Sequence, residues 1–185
     1  MPEQLTEEPA TRSRGVAPAI AQAGIVVAVC AVAGALAGVV WEWLWTPPVG
    51  VVIHHEWLVG LSGLRSEFTA TGLYVVVASV AGLLVGVLCG LFLDRAELVT
   101  LAAVVVGAVL AGWIMVQVGQ ALGPPDPRQL AKSAAERARL PSDLRIAGKS
   151  PYVAFPAGAT LGLAVVLLGL TKRHAGDGSG SATTG

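Results

Sequence analysis

Apolar and polar residues along this chain fall into long blocks rather than alternating. Two blocks, Gly72 to Leu93 and Leu98 to Leu122, carry no charge and are separated only by Asp94-Arg95-Ala96-Glu97. A helix rises about 1.5 Å per residue and a bilayer's hydrocarbon core is about 30 Å thick, so each block can cross and together they predict a membrane hairpin. A third block, Ala19 to Val40, is apolar apart from Gln22, follows Pro18, and runs into Trp41-Glu42-Trp43-Leu44-Trp45 and Pro47-Pro48. Indole rings favour the headgroup region and paired prolines cannot continue a helix, so this run predicts a first span and its exit from the bilayer through a tryptophan belt. Its apolar stretch exceeds the roughly 7 to 15 residues of a cleavable signal peptide, which favours an uncleaved anchor. A fourth block runs from about Tyr152 to Leu170 and is stopped by Lys172-Arg173.

The expected fold is therefore an all-α membrane protein, an antiparallel bundle of four transmembrane helices at about 18–45, 70–93, 98–122 and 152–171. This domain, 16–171, lies between a polar, disordered tail at 1–15 and a Gly/Ser/Thr tail at 172–185. Small residues recur in steps of four: Ala78, Gly82, Gly86 and Gly90 in the second span, Ala103, Gly107 and Ala111 in the third, Gly34 and Gly38 in the first, Ala154, Gly158 and Gly162 in the fourth. Such seams let helix backbones approach in lipid, within one bundle or as a self-association face.

The connections carry weaker signals. Val49 to Val59, rich in Val, Ile and Trp, predicts a short strand, with a turn at Gly60, Ser62 and Gly63; Asp143 to Phe155 is the candidate partner, a hairpin-like pairing between loops. Asp126 followed by Pro127 looks like an N-cap with proline at the first helical position, opening a short helix toward Arg139. Its Leu130, Ala134 and Ala138 alternate with Arg128, Lys132, Arg137 and Arg139, which suits a solvated loop helix or one lying on the membrane surface.

Composition sharpens the class. Hydrophobic residues make up 54% of the 185 and charged residues 13%, outside the balance of a soluble domain. A net charge of zero leaves no basic footprint for nucleic acid. Both cysteines, Cys30 and Cys89, fall inside apolar blocks at different expected depths, so they read as packing residues rather than a disulfide. Lys and Arg divide almost evenly between the two sides, but Arg12, Arg14, Arg95, Lys172 and Arg173 lie closest to span ends or in the shortest connections and place both termini in the cytoplasm.

Antiparallel threading gathers polar groups at the opposite, extracytoplasmic rim. Glu42 lies among the tryptophans, Glu67 precedes the second apolar block, and Trp113, Gln117 and Gln120 share a helix face in the third. Charged or amide groups at membrane depth are unfavourable and invite a functional reading, a pocket for a small molecule or lipid headgroup. They also suit interfacial water and interhelical hydrogen bonds. His54-His55-Glu56 resembles a fragment of a metal site, but adjacent histidines on a strand point to opposite faces, so no metal or other cofactor is assigned. No His-Glu-x-x-His, Gly-x-Ser-x-Gly or phosphate-cradling glycine loop occurs, and no catalytic residue is expected.

The runs Trp41-Glu42-Trp43-Leu44-Trp45-Thr46-Pro47-Pro48, Glu67-Phe68-Thr69-Ala70-Thr71-Gly72-Leu73 and Trp113-Ile114-Met115-Val116-Gln117-Val118-Gly119 resemble a family of small actinobacterial four-span membrane proteins, a domain of unknown function. Thr71 stands where that family usually carries an acidic residue. The resemblance implies a plasma-membrane protein of a high-GC Gram-positive bacterium without assigned catalytic residues. The expected role is a non-enzymatic scaffold or accessory subunit of an envelope or membrane complex, with a membrane-protein partner. The alternative is a small transporter or a binder of lipid or small molecules.

Overall fold

The computed structural model describes residues 13–92 and 97–177. Four long helices, α1 (Ser13–Leu44), α2 (Leu61–Phe92), α3 (Glu97–Leu122) and α5 (Ala154–Asp177), form an all-α bundle capped at its loop end by a small sheet and a short helix, α4 (Pro127–Ala131). The stretches Ile20–Leu44, Arg65–Leu91, Leu101–Ala131 and Ser150–Gly169 are long and apolar enough to cross a membrane. Leu36, Leu84, Val106 and Leu161 point outward, as lipid-facing residues should. The chain is a multi-pass membrane protein.

Two helices outrun the apolar blocks that predicted them. α2 starts at Leu61, so Ser62 and Gly63 form its first turn rather than a loop turn, with the Gly63 N–H donating to the Gly60 carbonyl at 2.8 Å. α5 continues through Lys172 and Arg173 to Asp177, inside the segment read as a tail. Backbone hydrogen bonds hold a helix wherever its residues permit; charge marks only where it leaves lipid. α1 likewise begins within the segment read as an N-terminal tail, at Ser13. The remainder of both tails and the Asp94-Arg95-Ala96 tip lie outside the described residues.

Helix pairing departs from the expected hairpin logic. α1 packs along α3 and α2 along α5, both parallel pairs, while α2 and α3, joined by the short tip, barely touch. The seams explain why. A Cβ on Gly34 or Gly38 would come within 3.0 Å of the backbone of Ala111 or Met115, and one on Gly82 or Gly86 would meet the carbonyls of Phe155 or Ala159. Reciprocally, Gly158 and Gly162 face the carbonyls of Ser79 and Leu83, a local two-fold arrangement of α2 and α5. These six glycines are thus filled within one chain and do not form an open self-association face. Cys30, packed on Gly107, and Cys89 are buried free thiols.

The strand expected at Val49 to Val59 is a hairpin of β1 (Val49–Ile53) and β2 (Glu56–Leu58), with Val52 opposite Trp57. His54 and His55, read as strand residues, are its two turn residues, with φ of 52° and 61°. Positive φ at both central positions defines the type I′ turn that fits the twist of paired strands, and His tolerates that region better than most residues. The partner on the other side of β1 is β3 (Arg139–Pro141), not Asp143 to Phe155: Gly50 lies opposite Leu140, and the strand order is β2-β1-β3. This pairing also ends α4 early. Asp126 caps it as expected, accepting the Arg128 N–H at 3.0 Å, but the chain then turns with Arg137 at φ 64° so that its N–H reaches the Val52 carbonyl at 2.8 Å. Tertiary pairing overrides the weak helical pattern to Arg139. Residues 143–155 instead bury Leu144 and enter α5 through a 3-10 turn, Ser150–Val153.

Candidate functional site

The tryptophan belt at the end of α1 is split by helical geometry. Trp43 is 78% exposed, whereas Trp41 and Trp45, one turn apart on the opposite side, are buried. Trp41 donates its indole N–H to the Ala70 carbonyl at 2.9 Å and packs edge-on against Tyr74 at 5.3 Å. The Tyr74 hydroxyl donates to the Gly112 carbonyl, and its ring lies 6.3 Å from that of Tyr152. This aromatic node ties α1, α2, α3 and the 3-10 turn before α5 together and forms the floor under the cap.

Above it lies an ion cluster that the sequence reading missed. Arg145 pairs through Nη2 with Asp126 at 3.0 Å and through Nε with Asp143, joining the α4 cap to the loop before α5. The hydrogen bond to Asp143, then the two carboxylate charges, raise the Arg145 pKa above its ordinary value despite partial burial. The Ala147 N–H donates to the Thr71 hydroxyl at 3.0 Å, fastening this loop to α2. Asp126 was legible only as a helix cap, and nothing in the sequence ties it to Asp143 and Arg145; only the docked loop brings them together.

Two clefts flank this cluster, and Asp143 and Arg145 line both. The larger, about 360 Å³, is lined also by Gln120, Pro124, Pro125, Asp126, Leu144, Ile146 and Tyr152. It joins charged, amide, aromatic and aliphatic groups and falls near the lower end of ligand-site volumes. The smaller, about 20 Å³, adds Trp45, Trp57, Ser66, Glu67, Ala70, Arg128 and Ser142. Trp57 reaches it across the sheet, its indole N–H donating to the Leu140 carbonyl at 3.2 Å; a Cβ on Gly50 would occupy the path of that ring.

The five residues expected to form one rim pocket are not gathered into one. Gln120 lines the larger cleft and Glu67 the smaller, while Glu42, Trp113 and Gln117 line neither. Trp113, Gln117 and Gln120 do share a face of α3, but that face is exposed on the outside of the bundle. Glu42 is half-buried at the end of α1. The histidines at the hairpin tip have backbone roles, the His54 N–H donating to the Glu136 carboxylate at 3.2 Å. Among the described residues no three His, Cys, Asp or Glu side chains gather as metal ligands. Compared with known protein families, with curated proteins and with solved structures, the chain matches none.

Proposed function

We propose that this protein binds a small polar or amphipathic molecule at the outer rim of the plasma membrane, with both termini in the cytoplasm and without catalysis of its own. The observation that carries the reading is the larger cleft, where Gln120, Asp126, Arg145 and Tyr152 offer an amide, opposite charges and an aromatic wall within about 360 Å³. Such a mixture selects by orientation as well as by burial. Purification in mild detergent followed by mass spectrometry tests it. A retained solute that is lost from Gln120→Ala and Tyr152→Ala proteins, with helicity unchanged, supports the reading; equal retention in both variants overturns it.

A scaffold or accessory role in an envelope complex is the second reading, favoured by the cap's sheet. Both β2 and β3 are edge strands, Leu58 exposes apolar surface on β2, and Val49 and Ile53 expose more on the central β1 beside them. Edges of this kind accept an added strand from a partner. A co-purifying protein released by Leu58→Lys but retained in Tyr152→Ala would favour this role.

A further inference from the structure

The smaller cleft, which neither reading uses, is lined by a buried indole N–H that lacks an acceptor and by two exposed charges without an ion-pair partner among the described residues. Trp45 is only 7% exposed, and its indole N–H is buried with no acceptor among the described residues. Buried donors are nearly always paired, so this one calls for an acceptor from outside the chain. Arg128 and Glu67 line the same cleft, and among the described residues neither forms an ion pair. The two remaining charges of the lining, Arg145 and Asp143, already hold each other.

The lining thus combines one buried, unpaired N–H donor with one cation and one anion at the surface. A simple anion would answer Trp45 and Arg128 but would face the like charge of Glu67. A simple cation would leave the indole N–H bare. A phosphate ester carrying an ammonium on a short arm answers all three. With a volume of about 20 Å³, the cleft admits an oxygen atom rather than a whole phosphate, so the rest of such a group must sit at the mouth. Trp43, two residues before Trp45, and Phe68, next to Glu67, face outward at 78% and 77% exposure, which suits the lipid interface. We infer that the mouth of this cleft seats the headgroup of a zwitterionic phospholipid of the phosphatidylethanolamine type. One phosphate oxygen accepts the Trp45 N–H, Arg128 pairs with the phosphate, Glu67 pairs with the ammonium, and the acyl chains run down the outer face of α1 and α2.

The test is native mass spectrometry of the full chain in mild detergent, titrated with phosphatidylethanolamine, phosphatidylglycerol or soluble phosphoethanolamine. Wild type is expected to hold one phosphatidylethanolamine at least tenfold more tightly than phosphatidylglycerol. Trp45→Phe, which keeps a ring and removes the N–H, and the exposed Arg128→Gln each lower that retention about tenfold. Glu67→Gln keeps lipid binding but erases the preference between headgroups. Gln120→Ala, which touches only the larger cleft, leaves lipid retention unchanged, so failure of the ligand reading above and failure of this one are distinguishable. Unchanged retention in Trp45→Phe and Arg128→Gln would overturn the inference, leaving the indole N–H to water alone. Soluble phosphoethanolamine competing as well as the lipid would overturn the membrane source.

Discussion

At the scale of single residues, the loop end depends on a few side chains that face inward where a surface role was expected. Trp41 is the clearest, since its indole both fills the core and supplies a hydrogen bond to the Ala70 carbonyl. Trp41→Phe should lower stability by about 2 kcal/mol, read as a fall in the melting temperature of the detergent-solubilised protein. Trp43→Phe, at an exposed position, should change it little. Gly50→Ala should displace Trp57 and loosen the sheet, which hydrogen exchange at Val52 and Arg137 would report. Arg145 stays charged, and so paired, across the ordinary pH range. Its folded-state pKa is raised, so its contribution is fully present below the guanidinium's unfolded value and disappears only as pH climbs through the higher folded one. Arg145→Lys gives up the fork geometry, and because the side chain is half exposed the loss should stay below about 1 kcal/mol.

At the scale of elements, the seams decide which helices meet. Gly82→Leu should force α2 from α5 and destabilise the bundle by about 2 kcal/mol or more, whereas Gly24→Ala, where an added Cβ would meet nothing within 4 Å, should be neutral or stabilising by up to about 1 kcal/mol. Thermal melts of the two variants side by side check both expectations. The four helices were legible because charge-free length is a strong signal, and the small-residue registers because steps of four line up on one helix face. Which seam fits which partner was not, because Gly34 and Gly82 look alike until a backbone lies against them. The strand at Val49 was visible in its residues, while its mate at Arg139 was hidden: three residues including a proline make no strand pattern alone. The candidate pocket suffered likewise. Spacing placed Trp113, Gln117 and Gln120 on one face of α3, but spacing carries no information about whether that face turns inward.

At the scale of the whole molecule, the chain consists of two halves with the same course, each an outward helix, a capped connection and a returning helix. Corresponding helices of the two halves are the ones that pack together, α1 with α3 and α2 with α5. Severing the tip between α2 and α3 should therefore leave two fragments that reassociate when co-expressed, detectable by co-purification of a tagged half. Reporter fusions at the N- and C-termini should fall on the same side of the membrane, since four spans return the chain to its starting face.

That parallel pairing also sets a problem for synthesis. When the first two helices leave the ribosome, the segments that will cover Gly34, Gly38, Gly82 and Gly86 have not yet been translated. The nascent chain must wait in the bilayer with its stickiest surfaces bare, open to capture by any other helix bearing small residues. Slowing translation after Phe92 should lengthen that vulnerable interval and raise the yield of misassembled protein.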